Sequence, residues 1–516
     1  MDLKKILLSL SISCAAICGA SATDSGDAGR LVILHTNDTH SQIDPLTTGR
    51  RLGGIMRRKA LIDSIRAAEP NVLVVDAGDA VQGSLFFYLH GGTVEQELLN
   101  ALGTDIRILG NHEFDNGVDS LARVLALSDA EKLATNYYLE ESALAGQFKP
   151  YTIREIGGQR IGFMGLNLRP QGMIAEGNYD GVVFSDPIES ANLTARFLRE
   201  VMHADAVVAL SHMGYNPEQP PGDSLLAVSS RGIDLIIGGH SHDIIDPNTT
   251  GGIRRSRLKN ADGDNILVVQ TGKSGAYLGQ ISIPLDDRVD SPAEYEYSLI
   301  PVDNRLDGYN DPVVAEIIDR YRPAVDSIMA LRVGYAPHDL HASDPEILNY
   351  MSDFVYERGR KMASNVDFAI VNKGGIRIDL PAGDVSKGQI LTLIPFNNRI
   401  QVIDIKGRDL RGAFDAMART EGNGISRQVR ATYDPATQKA VRVTVNGKPL
   451  EDDRTYRIAT IDYLVGGGDY MSTLRNSFNV ASSDKVLYDE LLDHLRDHPT
   501  IRSSDKPRMT PTTAGK

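Results

Sequence analysis

The chain has 516 residues, 41% hydrophobic and 24% charged, the balance of a folded protein and not of a disordered one. That length exceeds what one ordinary core sustains, so at least two domains are expected. A formal net charge of −14 argues against nucleic acid or an anionic lipid surface as partner, and any phosphate site must make its positive charge locally, from metal ions or a few arginines.

At the N-terminus, Lys4 and Lys5 precede an apolar stretch from Ile6 to about Cys18, and Ala20-Ser21-Ala22 supplies small residues at the spacing a signal peptidase reads. Residues 1–22 are therefore predicted to be a signal peptide cut before Thr23, which places the mature protein in the periplasm or outside the cell. Cys14 and Cys18, the only cysteines, lie in this segment, so a mature chain cut there has no disulfide. Ser11-Ile12-Ser13 before Cys14 leaves a second reading open, a lipoprotein held to a membrane through a lipid anchor at Cys14. Beyond this segment no apolar run approaches the roughly 20 residues of a membrane span.

From Leu31 to about Leu285, short Val/Ile/Leu-rich runs alternate with amphipathic stretches. The runs Leu31–His35, Asn71–Val75, Ile106–Leu109, Ile161–Leu166, Ala206–Leu210, Asp234–Ile237 and Ile266–Gln270 read as buried strands. Gly54–Ala68 and Ile188–His203 read as helices between them, and the alternation predicts an α/β sandwich over residues 30–305. Asp311–Met329 is a predicted helix with Asp311 as cap and Pro312 in its first turn, the connector within residues 306–332. Residues 333–505 change to α+β patterning. Helices are expected near Pro345–Arg358, Arg408–Met417 and Val486–Arg496, with strands at Asp367–Val371, Ile400–Ile405, Val441–Val445 and Thr455–Ile461 and a hairpin turn at Asn446-Gly447. The chain after Arg502 is polar, and residues 506–516 are predicted to be a disordered tail.

Five short motifs each follow a predicted strand: Asp38-Thr39-His40, Gly78-Asp79, Gly110-Asn111-His112-Glu113, Ser211-His212 and Gly239-His240-Ser241-His242. Strand C-termini of an open α/β sheet converge on one edge. Carboxylates, imidazoles and one amide oxygen are donors for divalent cations, and neighbouring glycines let the chain turn sharply there. One such piece alone is more often a turn or a hydrogen-bonded histidine. The five together, in this order and position, point to a metal centre.

These motifs resemble the signatures of the calcineurin-like metallophosphoesterases. The opening Ile33-Leu34-His35-Thr36-Asn37-Asp38-Thr39-His40 and the run Gly110-Asn111-His112-Glu113-Phe114-Asp115 narrow the resemblance to the 5'-nucleotidase branch, over nearly the whole mature chain. It implies a four-layer α/β/β/α catalytic sandwich followed by an α+β substrate-binding domain. It implies two divalent metal ions, one held by Asp38, His40, Asp79 and His242 and the other by Asp79, Asn111, His212 and His240, with Asp79 bridging. Zn, Mn, Mg and Co all suit such donors. Metals in such pairs share a hydroxide that attacks phosphorus in line. His112 then faces the phosphate and aids the leaving group, with Asp115 orienting its imidazole.

The resemblance continues into the second domain. Asn372-Lys373-Gly374-Gly375-Ile376-Arg377 is similar to the family's nucleotide-binding glycine loop, which implies contacts to base or ribose from Asn372, Gly374, Gly375 and Arg377. Phe396, after Pro395, matches one aromatic clamp. The second clamp departs from the pattern: Gly467-Gly468-Asp469-Tyr470-Met471 lacks one glycine, which makes Asp469 and Tyr470 the candidates, with Tyr463 behind them. An arginine that the family places early in this domain is absent, and Ser343 and His341 stand near its position. The expected activity is removal of phosphate from nucleoside 5'-monophosphates, the substrate swinging to the metals by domain rotation about the connector. A nucleotide-sugar or dinucleotide pyrophosphatase, a 2',3'-cyclic nucleotide phosphodiesterase and a non-catalytic nucleotide-binding surface protein are the alternatives. The complete donor set argues against the last, and oligomeric state has no signature in the sequence.

Overall fold

The structure is a computed structural model of the chain and describes residues 29–512 apart from 48, 218–220 and 250–253. The predicted signal segment, with Cys14 and Cys18, lies outside the described residues, as do the last four residues. Among those described, no helix is long and apolar enough to cross a membrane.

In the first half two sheets face each other. A six-stranded sheet runs Glu296–Pro301, Tyr277–Pro284, Arg30–Thr36, Val72–Asp76, Ile106–Arg107, Glu131–Lys132. In the seven-stranded sheet, Gln159–Asn167, Ala206–His212, Leu235–Ile237 and Asn265–Thr271 lie parallel, and three antiparallel strands flank them.

The alternation of side chains along a strand builds the layers. Leu31 and Ile33 enter the core between the sheets with Leu73, Val75, Phe163, Val208, Ile237 and Val269. Val32, Leu34 and Val74 point the other way, onto Leu61 and Ile62 of helix Ile55–Ala68 and Val94 and Leu98 of helix Thr93–Leu102. Behind the second sheet, Val207, Ala209, Ile236 and Val268 pack on Ala191, Ala195 and Leu198 of helix Pro187–Glu200 and on Leu226 of helix Asp223–Ser229. Strands covered on both faces need apolar residues at every position, which is why they read as continuous runs. The result is the four-layer α/β/β/α arrangement.

Helix Pro312–Met329 links the halves. The Asp311 carboxylate accepts from the N–H groups of Val313 and Val314 at 3.0 and 2.9 Å, as its position before Pro312 predicts. The helix touches both Thr93–Leu102 and Lys387–Leu393. The second half is built on a five-stranded sheet ordered Gly424–Ile425, Phe368–Val371, Thr455–Ile461, Arg399–Lys406, Phe478–Val486. Helix Pro345–Met362 lies on it so closely that a Cβ at Gly359 would come within 2.5 Å of the Ala459 methyl. In the predicted hairpin, Asn446 and Gly447 both take left-handed φ values, 49° and 76°, and Val445 pairs with Lys448.

The C-terminus departs from the sequence expectation. In place of a disordered tail, Met509–Pro511 forms a strand parallel to Val429–Asp434. Just before it, the buried Arg508 guanidinium donates to both oxygens of Asp353 at 2.8 and 2.7 Å and to the Ile425 carbonyl at 2.9 Å. Polarity misled here because a charged residue reads as solvated until its partner, 155 positions away, is known. Replacing Arg508 by Met leaves Asp353 facing an apolar side chain. The second half is expected to lose about 3 kcal/mol, read as a lower denaturant midpoint; an unshifted midpoint would show that the last strand contributes nothing.

Candidate metal centre

All five motifs fall on the loops where strands of both sheets end, on one edge of the sandwich. Asp38 and His40 follow Arg30–Thr36, Asp79 follows Val72–Asp76, and Asn111 and His112 follow Ile106–Arg107. His212 closes Ala206–His212, and His240 and His242 follow Leu235–Ile237. The loops are tied by backbone hydrogen bonds that prolong the parallel pairing: Asp38 N–H to Gly78 O at 2.9 Å, His40 N–H to Asp79 O at 3.0 Å and Ser41 N–H to Ala80 O at 2.9 Å. The loop after Ile106–Arg107 comes so close that a Cβ at Gly110 would sit 2.2 Å from the Asp79 carboxylate.

Side chains meet in two groups, Asp38 with His40 and His242, and Asp79 with His212 and His240, the donor atoms of each group lying within 4.8 Å of one another. His242 Nε2 is 3.3 Å and His40 Nε2 3.8 Å from Asp38 Oδ1, and the two imidazole nitrogens are 2.9 Å apart. His212 Nε2 is 3.2 Å from Asp79 Oδ2 and 3.9 Å from Asp38 Oδ1. The Asn111 amide oxygen lies 2.9 Å from His240 Nδ1. The structure thus brings all seven sequence-predicted donors to one place.

Three observations fit this place to cations. Asp38 Oδ1 and His212 Nε2 are buried and make no hydrogen bond among the described residues, and such groups rarely stay unsatisfied. His212 Nδ1 sits 2.7 Å from the Ala77 carbonyl; its proton can stay there while a cation takes the place of the proton on Nε2. Finally, Asp38, His40, Asp79, His240 and His242 all have left-handed φ between 48° and 71°, and strained backbone clusters in this way at functional sites.

The charges agree. Burial pushes Asp38 and Asp79 upward, but the imidazoles of His212 and its neighbours outweigh it, leaving Asp38 at about 2 and Asp79 well below the carboxylate range. Burial lowers His212, yet Asp79 and Asp38 overcome that and raise it to about 10. Two ionised carboxylates out of water draw positive charge to one point.

His112 stands beside this centre. Its N–H donates to Asp79 Oδ1 at 2.8 Å, and its Nδ1 is 2.9 Å from Asp115 Oδ2. Burial lowers its pKa, but Asp115 and Asp79 leave a net rise. The second half covers it: the Phe396 ring is stacked 5.9 Å from the His112 ring at 25°. Arg377 lies 5.9 Å from the Phe396 ring and donates to Gln82 Oε1 of the first half at 3.0 Å.

Asn372 is buried at the start of the Lys373–Gly375 turn and bonds the Asp469 carboxylate, and a Cβ at Gly374 would lie 3.8 Å from Asp469 Oδ2. Gly375 lines a cavity with Phe396 and Asn372. Tyr470 lines a different cavity, beside His240. Tyr463 lies beneath Gly468, where a Cβ would come 2.4 Å from its ring. Ser343 is exposed, and His341 pairs with Asp379 at 3.0 Å.

Glu113, part of a recognised motif but given no role from sequence, is buried and takes N–H groups from Asp79, Ala80 and Gly110 at 3.0, 3.0 and 2.7 Å and a guanidinium N–H from Arg107 at 3.2 Å. Gln82, three residues past Asp79, holds Arg377. Only their nearness to the motifs could have signalled them.

Comparison with known proteins agrees with this geometry. Residues 31–243 match the calcineurin-like phosphoesterase family and residues 332–476 the 5'-nucleotidase C-terminal domain. The chain is 25% identical over 508 residues to human 5'-nucleotidase, covering 89% of this chain and 87% of that one. It is 25% identical over 519 residues to the trifunctional nucleotide phosphoesterase YfkN of Bacillus subtilis, covering 90% of this chain but spanning only 34% of that longer protein. The crystal structure of a 5'-nucleotidase precursor from Thermus thermophilus superposes with a TM-score of 0.82 at 27% identity, over 94% of this chain and 100% of the other. With a calcineurin-like phosphoesterase half, a 5'-nucleotidase C-terminal half and two clusters of metal-donor side chains where they meet, the chain is a metal-dependent phosphoester hydrolase similar over most of its length to 5'-nucleotidases.

Proposed function

We propose that the protein is a secreted hydrolase that removes phosphate from nucleoside 5'-monophosphates with two divalent ions. The observation that carries this reading is the meeting of the two donor clusters with Phe396 and Arg377 of the second half across His112. Asp38, His40, Asp79 and His242 would hold one ion, and Asp79, Asn111, His212 and His240 the other. Bound there, divalent ions supply positive charge that polarises phosphoryl oxygens and lowers the pKa of water.

The chain's own groups do the rest. His112 holds one proton on Nδ1 toward Asp115, and its protonated form, favoured by Asp115 and Asp79, carries a second on Nε2 for a phosphoryl oxygen or the departing 5'-alkoxide. The Arg377 guanidinium adds the fixed positive charge that an acidic protein needs at a phosphate. One face of Phe396 offers stacking to a base, and the Asn372–Asp469 pair presents amide and carboxylate to nucleoside polar groups. Gln82 and Arg377, one from each half, hold the cleft shut around the reacting groups. A second reading, hydrolysis of nucleotide sugars, dinucleotides or cyclic nucleotides, is favoured by the additional cavity that Tyr470 lines beside His240.

Phosphate release from AMP, other nucleoside monophosphates, UDP-glucose and 2',3'-cyclic AMP, with and without a chelator, tests the reading. AMP should lead and chelator should stop the reaction; turnover that ignores the chelator would refute a metal centre. Asp79→Ala is expected to abolish turnover together with bound metal, and metal analysis that finds two ions still present would remove Asp79 from the bridging position. His112→Ala should lower kcat roughly a hundredfold or more with metal content intact; loss of both ions would mean that His112 is itself a metal donor.

A further inference from the structure

The strand Asn265–Thr271 also ends at the catalytic edge, and the turn after it, Gly272-Lys273-Ser274-Gly275, carries a cation and no metal donor. Its backbone is stitched to the metal loops. Gly272 N–H donates to the Asp243 carbonyl at 2.9 Å, and the Gly272 carbonyl accepts from the Asn37 amide at 2.8 Å. Ser274 N–H donates to the Asp38 carbonyl at 2.7 Å. Lys273 is thus anchored on both sides to the loops that carry Asp38 and His242. Gly272, Ser274 and Gly275 all take left-handed φ, 78°, 60° and 57°. Beneath them, a Cβ at Gly275 would meet the buried Arg58 guanidinium at 3.0 Å. Such a conformation at a serine persists only where the surroundings enforce one geometry.

The side chain held by this turn is unpaired. Lys273 is exposed, and its ammonium makes no hydrogen bond or ion pair among the described residues. Surrounding protein removes some of its water and lowers its pKa, Arg377 adds to that, and Asp38 and Asp379 oppose it. The ammonium therefore feels the metal centre of the first half and the Arg377 wall of the second at once. Asp379 is already engaged, 3.0 Å from His341. Arg377 donates to Gln82 Oε1 and to the Gly374 carbonyl at 3.0 and 3.4 Å, and it too pairs with no carboxylate among the described residues. Where the resemblance expects a further arginine, the second half has the uncharged Ser343. Two unpaired cations in one cleft repel each other, and an anion between them reverses that. A phosphate monoester, with a charge of about −1.5 to −2 near neutral pH, is such an anion.

We propose that Lys273 is a substrate-contacting residue of this hydrolase, its ammonium binding an oxygen of the phosphoryl group from the first half while Arg377 does so from the second. The proposal rests on the phosphohydrolase reading above and names a residue that sets its preference for a doubly charged phosphate. A lysine suits the place, because a compact charge on a flexible stem reaches a phosphate without dictating its orientation. The rigid turn beneath fixes where that stem begins.

The test uses Lys273→Ala and Lys273→Arg on the metal-loaded full chain, with three probes: AMP turnover, inhibition of that turnover by adenosine, which has the same nucleoside and no charge, and calorimetric binding of inorganic phosphate. Lys273→Ala is expected to raise KM for AMP and Kd for inorganic phosphate about tenfold. Lys273→Arg should recover most of both. Inhibition by adenosine should stay within about twofold in either variant, with metal content that of the wild type. Unchanged AMP and phosphate binding in Lys273→Ala would overturn the proposal. So would an equal weakening of adenosine or a loss of metal, since either makes the residue a support of the fold. Wild-type protein that hydrolyses no nucleoside monophosphate would overturn the nucleotidase reading instead, and the phosphate calorimetry would still decide Lys273 by itself.

Discussion

The catalytic edge depends on one buried carboxylate that faces no substrate. Glu113 gathers the N–H groups of Asp79, Ala80 and Gly110 onto its two oxygens and is held in turn by Arg107. Those N–H groups belong to two loops from neighbouring strands. Without an acceptor they would be buried and unpaired, and each such group costs on the order of 1–3 kcal/mol. By satisfying them together, Glu113 sets the distance between the loop of Asp79 and the loop of Asn111 and His112. The position of His112 over Asp79 Oδ1 and of Asn111 beside His240 follows from that spacing. Burial and Asp79 both push the Glu113 pKa upward, and Arg107 opposes them.

The second dependency runs between the halves. One continuous apolar cluster takes in Leu85, Phe86 and Leu98 of the first half and the sheet residues Phe368, Ile403 and Ile458 of the second. Helix Lys387–Leu393 approaches so closely that a Cβ at Gly388 would meet Leu85 and Met329. This contact brings Arg377 and Phe396 to the metal edge, and any rotation that opens the cleft must slide or part it.

Much of this was legible in the sequence, for identifiable reasons. The buried strands announced themselves because both faces of each sheet are covered, and the metal-donor residues because they follow those strands at glycine-rich turns. The cap of helix Pro312–Met329 was readable because Asp311 acts on its own next few residues. What escaped was whatever depends on a distant partner. Arg508 and Asp353, Arg377 and Gln82, and the strand Met509–Pro511 have no local pattern to betray them. At Asp469 and Tyr470, where the motif lacks a glycine, the backbone still takes left-handed φ values, and Tyr470 lines the cavity beside His240.

The left-handed backbone at Asp38, His40, Asp79, His240 and His242 carries a consequence for how this protein can change. Each position would relax by about 1 kcal/mol with glycine in place of the donor. Selection for stability alone would therefore erode the histidines of the catalytic edge one at a time, whereas Asp38 and Asp79 are kept by the N–H groups of His240 and His112 that they pair. A variant library screened for heat resistance without an activity screen should drift toward glycine at these histidines, so that the map of stabilising substitutions traces the site.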